Sequence, residues 1–451
     1  MNWRRYVTYP LICAKSGSRE HTYLRVLENT QFLSRASIEQ QSLRKLRALL
    51  IRAAQDVPYY TDIFRTHGFD PSSCRGLTDL HKIPLLSKKI MQEEYQRLFS
   101  IRIDGHKIIY DQTGGSTGVP TRFAYTEDRL DWRKAAARRH DKWAGLYIGE
   151  RLAILWGARQ DFAANDSLRL AIWRFLTSNH LVLDTSSLTE ETIRLFIRRY
   201  KRFKPQHILA YAQSLEYFCT YIRDHSVDLP PPRSIITSAE LLTPARREYI
   251  QSTLSAPIFD RYGARETALI ASECEHHTMH IHDEGIHVEC VGEDGRPCVW
   301  GEEGELIVTD LLNHAFPLIR YRIGDTGMLL KDDCPCGRGL SALRIVSGRT
   351  SDFIVTPRGR KVSGAAITAY VCAPIEGFHR VQFYQKDNQS VQVRMVPNNK
   401  FSGDTVRQFV DRARTFLDEI TVECEVVDEI PVPVSGKHQF VVSDLLKSDR
   451  Q

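Results

Sequence analysis

Between residues 151 and 260, short apolar runs alternate with helical segments, and this alternation restricts the fold more than any other feature of the chain. The runs 151–156, 207–211, 234–237 and 257–260 have strand length, and the segments 168–176, 189–203, 213–225 and 243–254 carry helical patterning. Successive strand-then-helix units call for crossover connections, so the stretch predicts a largely parallel sheet covered by helices. From residue 285 the pattern changes. Runs 287–290, 305–309 and 328–330 read as strands joined by tight turns, which predicts a small β-barrel or antiparallel sheet. Upstream, Leu43, Leu46, Leu49, Leu50 and Ala53 stand at helical steps within a helix over 38–57, which Pro58 stops. A second helix covers 128–145, started by Thr126 and Asp128. The apolar segment 6–14 reads as a first strand or a docking segment, with a weak membrane-surface role as the other reading. A third region begins near 348 and reads strand, strand, helix, strand, helix, strand, with helices near 363–372 and 403–419.

A single core rarely grows past about 250–300 residues, so 451 residues predict at least two domains. With 42% hydrophobic and 26% charged residues there is material for a large core and no case for disorder. The net charge of +6 suits an anionic small substrate such as a nucleotide or a CoA tail. The basic runs 133–142 and 198–204 interleave Arg and Lys with apolar residues at helical spacing, so they read as solvated helix faces rather than a nucleic-acid surface. No apolar run reaches the roughly 20 residues that span a bilayer, and residues 1–19 lack a signal-peptide core, so a cytoplasmic protein is expected.

Two clusters carry chemistry. Residues 107–112 read as a strand leading into Thr113-Gly114-Gly115-Ser116-Thr117-Gly118-Val119-Pro120, where glycines expose backbone N–H donors and hydroxyls add more, as a phosphate cradle requires. The lysine and helix register of a P-loop are absent. Of the ten cysteines, only Cys334 and Cys336 have a telling spacing. Upstream, Cys274 is followed by His276, His277, His280 and His282, and thiolate with imidazole is the donor set zinc prefers.

An ordered set of segments then resembles the adenylate-forming superfamily of acyl-CoA synthetases, peptide-synthetase adenylation domains and luciferases. The loop 113–120 resembles its phosphate-binding motif and Ser238-Ala239-Glu240 its adenine-contacting turn. Asp260 through Glu266, reading Asp-Arg-Tyr-Gly-Ala-Arg-Glu, resembles its Tyr-Gly-x-[Thr/Ser]-Glu motif. Tyr321-Arg322-Ile323-Gly324-Asp325 resembles Tyr-Arg-x-Gly-Asp, Gly348-Arg349-Thr350-Ser351-Asp352 the hinge, and Ser435-Gly436-Lys437 the catalytic-lysine motif. Val57-Pro58-Tyr59-Tyr60, Thr237-Ser238-Ala239-Glu240 and Cys334-Pro335-Cys336-Gly337-Arg338 resemble the branch of phenylacetate-CoA ligases and CapK-like proteins, and the likeness runs from about residue 40 to 445.

The resemblance implies an α/β fold: a large adenylation domain over 1–348, with parallel sheets, helices and a small β-barrel, and a small α+β lid over 349–451. It implies an ATP-dependent acid ligase that forms acyl-AMP, releases pyrophosphate and transfers the acyl group to CoA or another thiol or amine. Lys437, Glu266 and Thr117 would be catalytic, with Glu266 holding Mg²⁺. Thr113, Gly114, Gly115, Ser116, Thr117, Gly118, Ser238, Ala239, Glu240, Arg261, Tyr262, Gly263, Arg265, Asp325 and Arg349 would bind the nucleotide. The acid would lie against Trp156, Tyr211, Ala212, Ser214, Gly263 and Ala264, and Gly359 and Gly364 would border a pantetheine path. Cys274, His280, Cys334 and Cys336 would hold a structural zinc. Three departures stand out, one being that the lysine motif lacks the flanking basic residue of many members, with His438-Gln439 following instead. Arg265 occupies the Thr/Ser position, and Ser351 replaces the hinge aspartate. They leave two alternatives in view, an adenylyltransferase that leaves AMP on a substrate hydroxyl and a non-catalytic nucleotide-binding homologue. The expected partners are a small carboxylic acid and CoA, with no nucleic acid and no transmembrane segment, and a homodimer is left open.

Overall fold

The computed structural model describes residues 3–103, 107–113, 121–157, 179–185, 188–292, 294–331, 334–347, 353–372, 374–430 and 440–445. The chain divides into two compact units, one of Met1–Gln112, Arg122–Gly149 and Phe259–Gly348, the other of Thr113–Thr121, Glu150–Ile258 and Arg349–Gln451.

In the first unit the helix Arg35–Asp56 is capped by Ser34, whose hydroxyl accepts from the Ser37 amide, and it buries Leu46, Leu49, Leu50 and Ala53. Pro58 does more than stop it: proline needs no N–H in a first turn, so it opens a further helix, Pro58–Thr66. Glu127–Trp143 is capped by Thr126, which accepts from the Arg129 amide. The sheet runs, neighbour to neighbour, Ile286–Val291, Gly304–Asp310, Tyr321–Leu330, Ala342–Ser347, Met279–Ile281, Ala268–Glu273 and Ile258–Ala264. Every adjacent pair in that run is antiparallel, so the segment expected as barrel or sheet is an antiparallel sheet. Its core joins Leu46, Tyr60, Phe123, Ile270, Leu306, Phe316 and Tyr321.

The basic run 133–142 is not the solvated face its composition suggests. Arg139 is fully buried, with its guanidinium on Glu284 at 2.5 Å and on His282 Nδ1 at 2.8 Å. About three turns earlier in the same helix, Arg129 meets both oxygens of buried Asp310 at 3.0 and 2.8 Å. Guanidiniums of this kind are buried because each finds a geometrically matched carboxylate. The run 198–204 keeps its basic side chains largely exposed, as expected.

The segment 6–14 is also not a strand. Arg4–Thr8 is π-helical and Tyr9–Ser16 α-helical, with Pro10 in the first turn and Gly17 in the left-handed region (φ 68°) after the last.

In the second unit, His180–Asp184, Leu152–Trp156, His207–Tyr211 and Ser234–Ser238 form a parallel run in that order. The helices Glu190–Phe203, Ala212–Asp224 and Pro244–Leu254 connect and flank it, and Phe196, Tyr200, Phe218 and Ile235 share its core. The expected helix over 168–176 lies outside the described residues. Farther along, Thr421–Val426, Ser390–Pro397, Phe378–Gln385 and Val441–Ser443 form a four-stranded sheet around Phe378, Phe383, Val393 and Phe409. Between the two helices of this region one strand is expected, and the structure has two, Phe378–Gln385 and Ser390–Pro397. They form a hairpin, whose turn is set by Asp387 accepting from the Gln389 and Ser390 amides. The helix expected at 403–419 is Gly403–Phe416, and the one at 363–372 is a short α-turn, Gly364–Ile367, followed by π-turns over Thr368–Cys372.

Candidate functional site

In the first unit a group of polar side chains forms where the turn after Ile258–Ala264 meets the start of Tyr321–Leu330. A Cβ at Gly263 would stand 2.3 Å from the Ala268 carbonyl oxygen, so only glycine allows the bulge that the ladder has between Tyr262 and Gly263. That bulge aims Tyr262 at Asp325, whose Oδ2 accepts the phenol at 3.0 Å. Gly324, at φ 85°, supplies the left-handed residue just before Asp325. Beside it, Tyr321 donates to Glu266 Oε1 at 2.7 Å. Glu266 and Asp325 are only 5% and 7% exposed, so each is a buried carboxylate held in one orientation by a tyrosine hydroxyl. Arg265 pairs with Asp111 at 3.2 Å, and Tyr125 also donates to Asp111, at 3.4 Å. Arg133 donates to the Arg265 carbonyl at 2.7 Å and lies over the Tyr125 ring, 4.4 Å from its centroid. Burial, then the neighbouring Arg129, lowers the Arg133 pKa.

Arg261 is not part of this group. Strand alternation puts it opposite Tyr262, and it is held by His140 Nδ1 at 2.6 Å and by Asp141. Ala264 is half-buried at the end of its strand.

In the second unit the candidate residues gather at the carboxyl ends of parallel strands, the edge at which open α/β sheets bind ligands. Trp156 and Tyr211 end neighbouring strands with ring centroids 4.2 Å apart, and Tyr211 is in register with Ser238. Ala239 takes a left-handed φ of 69°, and Glu240 Oε2 accepts from the Gln213 amide at 2.7 Å. Ala212 and Ser214 are buried in the first turn of the helix that follows Tyr211. Thr113 and Thr121 close the base of the Gly/Ser/Thr loop. The Thr113 amide donates to the Thr121 carbonyl at 3.0 Å, and the Thr121 amide to Thr113 Oγ1 at 2.9 Å. Gly114, Gly115, Ser116, Thr117, Gly118, Arg349, Ser351 and Lys437 lie outside the described residues.

Cys274, His280, Cys334 and Cys336 come together, with all four ligand atoms within 4.8 Å of one another. Cys274 Sγ lies 3.6 Å from Cys334 Sγ, and Cys336 Sγ 3.3 Å from His280 Nε2. A tetrahedral zinc with Zn–S about 2.3 Å and Zn–N about 2.0 Å spaces its donors roughly 3.5–3.8 Å apart, so the donors fit such an ion. His280 Nδ1 meets the Leu340 carbonyl at 3.3 Å, which fixes the ring with Nε2 towards the thiols. Burial holds His280 down at about 4, hence neutral, and pushes the Cys274 thiol up to about 12. The neighbouring His282 points instead at Ser272 and Arg139.

Sequence reasoning missed Asp111, Tyr125, Arg133 and the hydroxyl of Tyr321. Tyr321 stood inside a recognised motif without a role. Nothing local marks Asp111, whose partner is 154 residues away.

Residues 354–444 match the family model described as the CapK C-terminal domain. Over 394 residues the chain is 22% identical to Protein CapK of Staphylococcus aureus, covering 86% of this chain and 85% of that protein. The chain is similar to CapK and to the phenylacetate-coenzyme A ligases. The ligase of Thermus thermophilus is 28% identical over 353 residues, with 76% of each chain covered. Among solved structures, 2-hydroxyisobutyryl-CoA ligase in complex with 2-HIB-AMP and CoA superposes with a TM-score of 0.63 at 19% identity, over 94% of both chains. The chain therefore has the fold of an adenylate-forming ligase.

Proposed function

We propose that this chain activates a carboxylic acid with ATP. The acid's carboxylate oxygen attacks the α-phosphorus, the bond to the bridging oxygen of the β-phosphate breaks, and pyrophosphate leaves an acyl-AMP. A thiol, by default that of CoA, then attacks the acyl carbon and AMP departs. The observation that carries this reading is the pair of buried, tyrosine-anchored carboxylates Glu266 and Asp325, on adjoining elements within motifs that resemble the adenylate-forming enzymes. The relatives named as CoA ligases support it.

In this reading Glu266 would hold the Mg²⁺ that supplies positive charge against the ATP phosphates, and a buried carboxylate with a fixed orientation suits such an ion. Asp325 accepts from the ribose hydroxyls, with Arg349 beside them. Ser238, Ala239, Glu240 and Tyr262 frame the adenine. Thr113 through Gly118 cradle the phosphates, and Lys437 stabilises the charge that grows on the α-phosphate. Trp156 and Tyr211 flank the acid. Arg265 brings a guanidinium where relatives of this type carry a hydroxyl, and Asp111 keeps it oriented. Cys274, His280, Cys334 and Cys336 hold a structural zinc that ties the loop after Ala268–Glu273 to the one before Ala342–Ser347. Residues 349–451 act as the lid.

The test is pyrophosphate release from ATP with a panel of aryl acids, short fatty acids, amino acids and uronic acids, with hydroxylamine present to trap acyl-AMP. Acid-dependent pyrophosphate and hydroxamate are expected. Pyrophosphate with AMP retained on a hydroxyl product, or no pyrophosphate from a chain that binds ATP, overturns the reading.

A further inference from the structure

The first helical turns carry an apolar face that stays largely exposed among the described residues. Tyr9 and Cys13 point inward and are buried. On the other side Trp3, Val7 and Leu11 follow at steps of four residues, with Ala14 three further on, and Tyr6 beside them. Trp3 is 44%, Tyr6 56%, Val7 49% and Leu11 63% exposed, the densest run of exposed large apolar residues among those described. The segment is held in place: its inner face is packed, and Gly17 ends the helix in the left-handed region. A helix that is apolar on both its packed and its outward side has a second medium to meet.

Charge says which medium. Residues 1–19 contain Arg4, Arg5, Lys15 and Arg19 and no acidic residue. Arg19 is paired with Asp128 and Arg5 lies over the Tyr147 ring, so those two belong to the body of the unit, whereas Arg4 lies over the Trp3 ring, 4.9 Å from its centroid, within the stripe itself. Arg4 and Lys15 are eleven residues apart, close to three helical turns, and adjoin the two ends of the Trp3–Ala14 stripe. A second copy docking through this face in a two-fold dimer would repeat the same basic residues across the interface, which like charges oppose. An anionic lipid surface matches both features: headgroups take the basic row, and the acyl boundary takes Val7 and Leu11. Trp and Tyr are the residues favoured at that depth. No described helix is long and apolar enough to cross a membrane, so the contact is interfacial.

We propose that the segment 3–16 is an interfacial helix that seats this chain on an anionic lipid surface. Stability of the contact rests on the apolar stripe, and its selectivity on Arg4 and Lys15, each contributing about fivefold in binding to an anionic leaflet. The inference does not depend on the proposed ligase activity.

The experiment is co-sedimentation of the full chain with vesicles of phosphatidylserine and phosphatidylcholine, against phosphatidylcholine alone, at low and physiological salt. Binding is expected to the anionic vesicles, weaker at higher salt. The exposed-site variant V7E/L11E should bind at least tenfold more weakly with an unchanged melting temperature. The double variant Arg4→Gln with Lys15→Gln should lose roughly tenfold or more on anionic vesicles. Absence of binding to anionic vesicles, or equal binding by V7E/L11E, overturns the proposal. So does light scattering that shows a dimer abolished by V7E/L11E in a chain that ignores vesicles, which would assign the face to a second copy.

Discussion

Glu266 and Asp325 each accept a tyrosine hydroxyl inside a nearly dry surrounding, and a hydrogen bond to a charged group is worth about 1.5–3 kcal/mol. Tyr321→Phe should therefore slow acyl-hydroxamate formation by about tenfold while leaving the carboxylate in place. Glu266→Gln removes the charge itself, and a loss of about 10²–10³-fold is expected, the magnitude found when one electrostatic stabiliser is removed. The same loss is expected for Lys437→Ala. Unchanged hydroxamate rates in either folded variant would remove that residue from the site. Arg265 is a subtler case. Arg265→Met should leave the melting temperature nearly unchanged, because the side chain is a quarter exposed in its pair with Asp111, yet lower the rate. A rate equal to that of the parent chain would reduce the Arg265–Asp111 pair to a structural contact.

Elements place these side chains by a few local rules. The Cys/His cluster is assembled by two turns: the His277 amide donates to the Cys274 carbonyl, and the Gly337 amide to the Cys334 carbonyl, with Gly337 at φ 73°. Antiparallel pairing of Met279–Ile281 with Ala342–Ser347 then brings His280 opposite Ala342 and carries the two turns together. Elemental analysis of purified protein should find about one zinc per chain. Cys336→Ser should lose it and lower the melting temperature, since metal bound only by the folded state stabilises that state. Protein without zinc and with an unchanged melting temperature in Cys336→Ser would remove the metal from the account. The helix Glu127–Trp143 owes its depth to buried ion pairs, so Glu284→Gln should destabilise the first unit by roughly 3–5 kcal/mol in urea unfolding, through the uncompensated charge of Arg139.

For the whole molecule, buried histidines set the response to acid. His140 accepts from Arg261 Nε at Nδ1 and faces the Glu273 carbonyl at Nε2, so an added proton would point at a guanidinium. Burial, then Arg261, holds its pKa well below the usual value, and burial, then Arg320, holds His287 at about 4. Unfolding frees both to take protons near 6.5. Their contribution to stability is thus complete above that pH and is lost as pH falls towards 4, by roughly 1.4 kcal/mol per pH unit for each net proton. Asp283, pushed up to about 6 by burial, acts in the opposite sense below pH 6 and offsets part of this. Burial also lowers His282 and His314 and raises Glu289, so the lowered histidines outnumber the raised carboxyls and the melting temperature should fall between pH 6.5 and 4.5. A flat profile there would contradict the buried-neutral assignment.

Much of this architecture was legible in the chain itself. Three strands of the parallel run, Leu152–Trp156, His207–Tyr211 and Ser234–Ser238, were read to within a residue of their ends, because period and punctuation are local properties, while the edge strand His180–Asp184 was not read at all. The four cysteine and histidine donors that the resemblance implied do stand together, whereas residue types and spacing alone left His276, His277, His280 and His282 all open. Other features depended on partners distant in sequence. Arg139 looked like a surface cation until Glu284 stood beside it, and Asp111 had no mark before Arg265 and Tyr125 reached it. The 6–14 segment is helix, not strand: among the described residues no strand pairs with it, while helix Glu20–Thr30 offers an inner face to pack on. Pattern and spacing carry backbone periodicity and donor chemistry. Whether a charge is buried, and which of two faces meets water, is decided only when tertiary packing brings its partner or leaves it without one.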